Sequence, residues 1–408
     1  GDVYKRQVRG SYGEVGNDQI GGDRFLYLPS SYGAASDSGV NKYNFGLASN
    51  PYTSLMIVEN KIGNPDLTWE KAKKMNVGVD INLFNNCLTA SFDIFKEKRN
   101  NILANRSTSP MIIGANLPAY NFGEMENRGW EMDLNFRHHI QDFHYWARFN
   151  YSFARNEIIY MDEVQKRYDY QMTTGRRKNQ FFGLIFDGYY NSWEEINALD
   201  RPKSSWSGNQ LQPGDVKYVD VNRDGVIDDY DMVPIGYTPV PEIIYGFSFG
   251  AQYKGFDFSI LFQGADNVSI KYFGRSMWPF AKGEESAKSL IKERWTQERY
   301  EAGEKITFPR LSLNPNGETD HNYRPSTLWI RDASYLRLKN LEVGYTFTGG
   351  FVKRLNLNSV RLYFNGSNLF TWTDVVDLDP EAPSRSGNVE INTYPLQKVY
   401  NIGLNINF

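Results

Sequence analysis

The strongest constraint on the fold of this chain is the strict alternation of apolar and polar residues over its last positions. The apolar members are Tyr400, Ile402, Leu404, Ile406 and Phe408, and the residues between them are Asn401, Gly403, Asn405 and Asn407. Successive side chains of a β-strand point to opposite faces, so an alternation with a period of two places all the apolar residues on one face. The pattern predicts a final strand with one apolar and one polar face that ends on an aromatic residue.

The same alternation recurs along the chain, mostly in pairs separated by short turns. Two of these turns are the Asn85-Asn86 pair and the Lys254-Gly255 pair. The alternating segments are 75–83, 88–94, 130–137, 143–153, 245–253, 256–262, 341–347 and 360–364, with a polar break at His138 to Asp142 between the third and fourth. Pairs of this kind are typical of β-hairpins. We count about ten strands of the length that a tilted strand needs to cross a bilayer.

The connections between these segments differ greatly in length. Long stretches rich in Gly, Pro, Asn and Trp cover 166–242, 265–327 and 373–396, whereas other strands are joined by only a few residues. Outer-membrane barrels combine short periplasmic turns with longer external loops, and a soluble sandwich has more even connections. Within one long loop, Glu284 to Tyr300 has a rough apolar stripe and is predicted to be a short helix.

Composition supports a membrane barrel over a soluble β protein. Aromatic residues make up 15% of the chain, and the polar face of the predicted strands carries mainly Asn, Gly, Ser and Asp, as a hydrated lumen would. No apolar run of about 18 residues occurs, so no transmembrane helix is predicted. Lys and Arg together number 45 against 48 for Asp and Glu, which gives no support to a nucleic-acid partner. The predicted fold class is an all-β, antiparallel transmembrane β-barrel, present in part, with long external loops and one short helix; a secreted β-sandwich with an aromatic core is the alternative.

Residues 1–7 are interpreted separately from the rest of the chain. The run Asp2 to Gln7 can be read as GAT-GTG-TAT-AAG-AGA-CAG, which matches a widely used transposon sequencing adaptor. The hypothesis is therefore a non-native leader over residues 1–7 and a barrel portion over 8–408; a genuine basic turn is the alternative. There is no initial Met and no signal-peptide pattern, so we expect coding sequence to be missing upstream.

The sharpest local motif follows the spacing of a Ca²⁺-binding loop. Side-chain oxygens of Asp220, Asn222, Asp224 and Asp231 stand at positions 1, 3, 5 and 12, with Val226 offering a backbone carbonyl and Asp228 a direct or water-mediated contact. Gly225 provides the turn at position 6, and position 12 is Asp where the usual loop has Glu. The prediction is a structural Ca²⁺ in an external loop; an Asp/Asn/Gly-rich turn without metal is the alternative.

Other candidates for chemistry are weaker. Aromatic residues on or beside the predicted loops could stack on sugar rings or could be packing residues: Tyr189, Tyr190, Trp193, Trp206, Trp278, Trp329 and Trp372. His138, His139 and His144 surround one turn without metal-ligand spacing and are interpreted as solvated. Cys87 is the single cysteine, and no hydrolase, zinc-protease or nucleotide-binding motif occurs, so no enzyme is predicted.

Several segments, in order along the chain, resemble the SusC/RagA family of TonB-dependent outer-membrane transporters. The segments that carry the resemblance are Asn64-Pro65-Asp66-Leu67-Thr68-Trp69-Glu70, Glu126-Asn127-Arg128-Gly129-Trp130-Glu131, Pro213-Gly214-Asp215-Val216-Lys217-Tyr218 with Asp220 to Asp231, Tyr335 to Phe347, Gly366-Ser367-Asn368-Leu369-Phe370 and Asp379-Pro380-Glu381. The resemblance covers essentially all of Val8 to Phe408.

This resemblance implies a 22-stranded barrel filled by a plug domain, of which about ten strands would be roughly the C-terminal half. It also implies a TonB-binding box, a SusD-like surface lipoprotein as a lid, a place in the outer membrane of a Gram-negative bacterium, and active import of glycans or, in some members, peptides. The sequence departs from the family pattern because no plug, TonB box or signal sequence is found in it.

Two other classes of function stay open. One is a passive porin or a barrel-anchored adhesin, which needs neither plug nor TonB. The other is a soluble, Ca²⁺-dependent glycan-binding β module. The sequence identifies neither the cargo nor the residues that contact it.

Overall fold

A single ten-stranded antiparallel sheet dominates the computed structural model, in agreement with the predicted strand number and fold class. The structure describes residues 5–18, 25–28, 33–34, 42–47, 52–55, 57–58, 62–108, 117–206, 211–272, 277–280, 289–312, 320–381, 388–389 and 396–408. The sheet strands are β1 (Lys5–Asn17), β2 (Glu70–Leu83), β3 (Leu88–Ala104), β4 (Tyr120–Ile140), β5 (Phe143–Tyr160), β6 (Ile243–Tyr253), β7 (Phe256–Asp266), β8 (Tyr335–Phe347), β9 (Ser359–Thr373) and β10 (Val399–Asn407). Each strand pairs with the next along the chain, and within the described residues β1 and β10 are the two edges of an open sheet.

Two predicted hairpin turns are confirmed at residue level. Tyr253 pairs with Phe256 around Lys254-Gly255, and both turn residues have positive φ angles, 45° and 92°. Leu83 pairs with Leu88 around residues 84–87, of which Phe84, Asn85 and Asn86 also have positive φ. Gly has no Cβ to clash and Asn tolerates the left-handed region, so these residue types favour such turns.

The predicted polar break at His138 to Asp142 is wrong in extent. Strand β4 continues through Ile140, His138 pairs with Tyr145, and His139 pairs with His144. Only Gln141 and Asp142 form the turn, with Gln141 at a φ of 52°. Cross-strand backbone hydrogen bonds do not depend on side-chain polarity, so the strand persists where the apolar pattern stops.

Strand β3 is also longer than predicted, and strand β1 was not predicted at all. Beyond Ile94, the face of β3 that was apolar carries Lys96 and Lys98, whose ammonium groups lie 2.8 and 2.9 Å from Glu126 and Glu124 on β4. These ion pairs are diagonal across the two strands, because Lys98 itself stands opposite Glu126, and diagonal contacts of long charged side chains stabilise a sheet without apolar contacts. Strand β1 was missed because its sequence, with Gly and charged residues in register against β2, shows no apolar alternation.

Lys5 to Gln7 pair with β2, but backbone pairing says nothing of coding origin, so the non-native leader and the domain limits stay predictions.

The long connections all leave the same end of the sheet. Because neighbouring strands are antiparallel, the connections 18–69, 105–119, 161–242, 267–334 and 374–398 lie at one end, here called the loop end. The opposite end, here called the turn end, has the connections 84–87, 141–142, 254–255 and 348–358. This asymmetry is the one expected of an outer-membrane barrel.

The two faces of the sheet have different chemistry. The apolar face carries residues such as Phe249, Val343 and Leu362, which are 43%, 42% and 48% exposed on strands in the second half of the sheet. The polar face carries Asn, Ser, Gly and charged residues, including Asp80 and Asn365. Aromatic rings contact one another across the strands of the apolar face, as in the pair Phe247 and Phe262 at 4.6 Å between centroids.

The largest buried core lies in the long connections, not in the sheet. These connections at the loop end, here called the loop assembly, bury a cluster of apolar side chains that includes Leu184, Val216, Met277, Phe308 and Trp329. Its short strands pair as Phe182–Gly183 with Val233–Pro234, Phe186–Tyr189 with Val216–Tyr218, Lys203–Ser204 with Val226–Ile227, and Ser269–Tyr272 with both Ile330–Asp332 and Asn388–Val389; nearer the start of the chain, Gly33–Ala34 pairs with Ile57–Val58 and Lys42–Phe45 with Tyr52–Leu55. The core gives the loops a defined structure of their own.

Within the part of the chain that the structure describes, helices are few and short. They are α1 (Trp193–Ile196), α2 (Gln297–Glu301) and α3 (Gly350–Arg354), with 3₁₀ turns at Asp169–Gln171, Asp229–Asp231, Ser289–Glu293 and His321–Tyr323. None of the helices in the described ranges has both the length and the hydropathy needed to span a bilayer.

The single helix predicted over Glu284 to Tyr300 is wrong where the structure describes it, and residues 284–288 lie outside the described residues. A 3₁₀ turn ends at Glu293, and α2 begins after Thr296, whose side chain caps the backbone amide of Arg299. Between them, the backbone amide of Trp295 donates to the carbonyl of Phe308 at 2.8 Å. This tertiary hydrogen bond, together with the buried Trp295 ring, breaks the helical pattern.

Candidate functional site

Most of the aromatic residues proposed for sugar stacking are buried in the loop assembly. The buried members are Tyr189, Tyr190, Trp278 and Trp329, which are at most 8% exposed. These four cannot offer a ring face to a ligand, so for them the packing interpretation is confirmed. Trp372 is 53% exposed, but it lies on β9 and contacts Phe262 and Phe370 of the sheet. Trp193, 54% exposed, and Trp206, whose ring lies 4.0 Å from the Arg324 guanidinium, are the two that remain near the loop surface.

The polar centre of the loop assembly is Asp215, which is 3% exposed. Its carboxylate accepts hydrogen bonds from the Gln212 amide at 2.7 Å and from Asn322 Nδ2 at 2.8 Å. Arg310 Nε lies 2.6 Å from Asp215 Oδ1, and Arg310 Nη2 donates more weakly to Oδ2 at 3.4 Å. Asp215 thereby connects three separate stretches of the loop assembly. Sequence reasoning named the segment only as part of a resemblance and gave it no role.

Gly214 allows the backbone to pass beneath this centre. Its φ is 91°, and a Cβ at this position would lie 2.5 Å from Cε3 of Trp295 and 2.8 Å from Cβ of Arg310. Both the left-handed backbone and the close approach require glycine. The local sequence Pro213-Gly214-Asp215 therefore places the buried carboxylate against Arg310.

His321 is a half-buried polar group of the loop assembly that sequence reasoning did not single out. Its Nε2 lies 2.7 Å from the carbonyl of Val216, and its Nδ1 lies 3.0 Å from the hydroxyl of Ser204. This environment fits a neutral imidazole that donates through Nε2 and accepts through Nδ1. Burial lowers the pKa of His321, although the Val216 carbonyl and the carboxylates of Asp215 and Asp320 act in the opposite direction.

The predicted Ca²⁺ loop forms a compact turn stabilised by its own side chains. Asp220 accepts hydrogen bonds from the amides of Arg223 and Gly225 at 2.7 and 2.8 Å, and Asp224 accepts one from Val226 at 2.9 Å. Asn222 accepts from the amide of Asp224 at 2.9 Å. Positions 1, 3 and 5 therefore turn their oxygens towards the inside of the loop, where backbone amides occupy them.

The carboxylate at position 12 is buried. Asp231 accepts from the amides of Val221 at 2.8 Å, Asn222 at 3.3 Å and Asp228 at 2.9 Å, and Asp228 caps the 3₁₀ turn Asp229–Asp231. Burial raises the pKa of Asp231, and the three backbone hydrogen bonds oppose that rise. Within the described residues no group of three or more His, Cys, Asp or Glu side chains has an arrangement that would hold a metal ion. The donor set suits Ca²⁺ chemically, and occupancy stays a prediction.

The polar face of the sheet carries an ion cluster near its first edge. Arg9 on β1 forms an ion pair with Asp93 on β3 and donates to Asp80 on β2 at 3.1 Å and to Ser91 at 3.1 Å. Its guanidinium passes across Gly78, where a Cβ would lie 2.8 Å from Arg9 Cζ. The absence of a side chain at Gly78 therefore lets one arginine reach carboxylates on two neighbouring strands.

Two cavities lie along the polar face of β3 to β5. One, of about 380 Å³, is bordered by hydroxyl, amide and carboxylate groups: Ser91, Asp93, Glu131, Asp133, Asn150 and Ser152. The second, of about 340 Å³, lies at the loop end, where Glu97, Asn127 and Asn156 of the sheet and Lys178, Val240 and Pro241 of the long connection line it. Such groups can hydrogen-bond sugar hydroxyls or peptide amides alike.

Buried ion pairs attach the loop assembly to the sheet. Glu242, 4% exposed, receives two hydrogen bonds from Arg155, at 2.9 and 2.8 Å, and an ion pair from Arg177. At the other side, Arg337 of β8 is 1% exposed and lies 2.7 Å from Asp379 and 3.2 Å from Glu381. Asp379-Pro380-Glu381 is again a segment that the sequence resemblance contained without assigning a role.

Comparisons with known proteins agree with this architecture. The family model described as TonB dependent receptor-like, beta-barrel matches residues 4–369. TonB-dependent receptor P3 of Formosa agariphila is 27% identical over 419 residues, covering 98% of this chain and 39% of the relative. TonB-dependent receptor SusC of Bacteroides thetaiotaomicron is 26% identical over 408 residues, covering 98% and 37%.

A solved structure of the RagAB peptide importer in its open-open state has a TM-score of 0.69 to this chain at 22% identity, covering 99% of this chain and 40% of that one. At this identity the likeness shows the shared fold. The chain spans about two fifths of the length of these relatives.

Proposed function

Because this chain belongs to the TonB dependent receptor-like, beta-barrel family, we propose that it forms part of the wall and the loop assembly of an outer-membrane transporter that imports nutrients actively. The family consists of outer-membrane receptors and transporters, not enzymes, and we assign the chain no catalytic role. The proposal places it in the outer membrane of a Gram-negative bacterium, with the turn end in the periplasm.

One observation carries this proposal: the sheet has an exposed apolar face and a polar face, and every long connection leaves its loop end. Phe249, Val343 and Leu362 are each more than two fifths exposed. A soluble protein rarely leaves so large an apolar surface uncovered, whereas lipid contact requires it. This favours a membrane barrel over the soluble Ca²⁺-dependent glycan-binding module.

The loop assembly favours a receptor over an open porin. A core that includes Val216, Met277 and Trp329 gives the loops a rigid shape, and buried ion pairs at Glu242 and Arg337 attach that shape to the sheet. A rigid extracellular surface is suited to selecting a cargo and to receiving a partner protein. We propose a SusD-like surface lipoprotein as that partner and the TonB complex as the source of energy.

The proposed cargo is a glycan or oligosaccharide, with a peptide as the second candidate. The cavity bordered by Ser91, Glu131, Asp133, Asn150 and Ser152 offers hydroxyl, amide and carboxylate groups. Both candidate cargoes present the hydrogen-bond donors and acceptors that these groups recognise. Of the similar proteins above, the RagAB peptide importer is named for a peptide cargo, whereas the name TonB-dependent receptor SusC states no cargo.

Uptake by cells tests the proposal. A strain lacking the gene is compared with its parent for uptake of radiolabelled oligosaccharides and peptides, before and after an uncoupler dissipates the proton gradient. Active transport predicts that the parent accumulates one cargo class, that deletion abolishes this accumulation, and that the uncoupler does so too. Uptake that depends on the gene but is unchanged by the uncoupler would favour the passive porin.

We also propose that the loop Asp220 to Asp231 binds a structural Ca²⁺. Oxygens of Asp220, Asn222 and Asp224 accept hydrogen bonds from backbone amides of the same turn, and Asp231 is held in place by three backbone amides. Binding would exchange the backbone hydrogen bonds of positions 1, 3 and 5 for metal coordination.

A further inference from the structure

Exposed and half-exposed rings form a nearly continuous belt on the apolar face at the turn end. Phe143 of β5 lies 6.1 Å from Tyr253 of β6 between ring centroids. Phe256 of β7 lies 4.5 Å from Tyr345 of β8, and Tyr345 lies 4.6 Å from Phe347. Since Tyr253 and Phe256 are paired residues of one hairpin, the belt runs from β5 to β8. Belts of this kind lie at the boundary between lipid tails and headgroups.

Helix α3 follows directly after this belt, in the connection between β8 and β9. Its end is fixed by two hydrogen bonds, from the Leu357 amide to the Val352 carbonyl at 3.2 Å and from the Asn356 amide to the Lys353 carbonyl at 3.1 Å. Asn356 has a φ of 56°, the left-handed conformation that this helix termination requires. The connection therefore has a defined shape despite its exposed position.

The two sides of α3 differ in exposure. Val352 is only 3% exposed, whereas Phe351 is 76% exposed and Leu355 is 55% exposed. Leu355 caps the end of α3 and lies four positions, about one helical turn, after Phe351, so the two exposed side chains form one apolar surface. Leaving these two large side chains in water would forgo the burial that each could gain in lipid. Phe351 follows the belt residue Phe347 by only four positions.

The charges at the turn end are mainly positive. Lys353 and Arg354 are both exposed on α3, and neither forms an ion pair with any described residue. Lys254, in a neighbouring turn, lies with its ammonium group 5.3 Å from the ring centroid of Tyr253. Within the connections 84–87, 141–142, 254–255 and 348–358, Asp142 is the one acidic residue.

From these observations, and resting on the proposed function, we propose that the surface formed by Phe351, Leu355, Lys353 and Arg354 is a phospholipid-binding anchor. Phe351 and Leu355 insert below the headgroups of the periplasmic leaflet, and Lys353 and Arg354 bind the phosphates of anionic phospholipids. Basic and aromatic side chains together bind an interface in this way. A lipid fits better than a protein partner because the surface continues the belt that faces lipid. The two apolar side chains also have no part in binding a free phosphate.

Spin labels in the full chain, expressed with its flanking coding sequence and reconstituted into vesicles, test the position of α3. In a Cys87→Ser background, single cysteines replace Phe351, Phe258 on the apolar face of the sheet, and Leu199 in the loop assembly. We expect the label at 258 to be accessible to oxygen, the label at 199 to be accessible to a water-soluble nickel complex, and the label at 351 to have an intermediate depth. Suppose that the label at 258 lies in lipid but the label at 351 is as accessible to nickel as the label at 199. This result overturns the anchor and leaves the proposed function intact. A label at 258 in water overturns the proposed function itself.

A second measurement tests the charges. Native mass spectrometry compares binding of phosphatidylglycerol with that of phosphatidylethanolamine, for wild type and for Lys353→Gln with Arg354→Gln. Each basic side chain near an anionic lipid surface is expected to contribute about fivefold to the preference for the anionic lipid. The double variant should therefore lose roughly 25-fold of that preference. The matched control is Lys166→Gln with Lys203→Gln at the loop end, which should bind like wild type.

Two outcomes overturn the headgroup assignment. One is a Lys353 and Arg354 variant that keeps the wild-type preference. The other is displacement of phosphatidylglycerol by inorganic phosphate at equal concentration, because it would show a site for free phosphate. Retention of the lipid in the presence of phosphate, with loss in the double variant, supports the anchor.

Discussion

Replacing Asp215 by alanine is expected to loosen the loop assembly while leaving the ten-stranded sheet unchanged. The substitution removes the acceptor of the Gln212 amide and of Asn322 Nδ2, and it removes the partner of Arg310. Asn322 is only 2% exposed, so its amide group cannot turn to water in place of the lost carboxylate. The assembly should then open locally more often than it does in the wild type.

The magnitude follows from burial. Removing one partner of a buried ion pair costs about 3–5 kcal/mol. The Arg310 side chain is 24% exposed, so water recovers part of its loss, and the lower end of the range, about 3 kcal/mol, applies. Since about 1.4 kcal/mol corresponds to a tenfold change in an equilibrium constant, local opening should become roughly a hundredfold more frequent.

Hydrogen exchange of the purified, membrane-embedded protein measures this opening. The amide of Val216, which donates to Asn322 Oδ1 at 2.9 Å, should exchange roughly a hundredfold faster in Asp215→Ala than in wild type. Amides of Phe258 and Val343, paired between β7 and β8, should exchange at the wild-type rate. Asp187→Ala is the matched control, because Asp187 is an exposed carboxylate of the same loop assembly.

Two results would refute the reasoning. If the Val216 amide exchanges at the same rate in Asp215→Ala as in Asp187→Ala, the buried carboxylate does not stabilise the assembly. If β7 and β8 lose protection together with Val216, the loops and the sheet open as one unit, and the loop assembly is not a separate element.

Three further perturbations test the role of His321, the close approach at Gly214 and the proposed Ca²⁺ site. Burial lowers the pKa of His321 in the folded state, so the unfolded loop assembly binds more protons. The stability of the loop assembly should therefore fall as the pH drops through about 6.5, the unperturbed pKa of histidine. Cleavage of the loops by protease should rise between pH 7.5 and pH 5.5, and His321→Gln should flatten that rise. Gly214→Ala adds a Cβ 2.5 Å from the Trp295 ring at positive φ, whereas the Cβ of Gly175→Ala meets nothing within 4 Å at a similar φ of 81°. The protection of loop amides in hydrogen exchange should therefore decrease more for Gly214→Ala, by about 1–3 kcal/mol for the overpacking alone. Equal losses of protection in the two variants would contradict the close approach. Isothermal titration with Ca²⁺ should give heat for wild type and for Asp229→Ala but none for Asp224→Ala, and identical heats for the two variants would end the proposed metal site.

The sequence was sufficient for the features that depend on local periodicity. Alternation such as that from Tyr400 to Phe408 specified strands with unlike faces, and Lys254-Gly255 specified a two-residue turn, because side-chain direction in a strand and positive φ at glycine are properties of single residues and their neighbours. The unequal connections also indicated which end of the sheet bears the loops. These local rules were enough for the fold class and for an approximate number of strands, although they missed β1.

Local rules fail where distant residues decide the structure. The helix predicted over 284–300 is interrupted because Trp295 pairs with Phe308, and β4 continues through His138 and His139 because β5 pairs with it. The aromatic residues proposed for sugar binding, such as Tyr189 and Trp329, are buried because several loops meet around them. An alternation pattern cannot contain this information, since each contact joins residues far apart along the chain.

The sequence by itself thus determined a two-faced antiparallel sheet with its loops at one end, because period and turn chemistry are encoded residue by residue. Only the tertiary structure decided that the loops have a core of their own, that Asp215 is held between Arg310 and Asn322, and that Arg337 connects β8 to Asp379. It also decided that Phe351 and Leu355 remain exposed beside the aromatic belt while Val352 is buried. Burial depends on which segments pack together, and that choice is made by the whole chain.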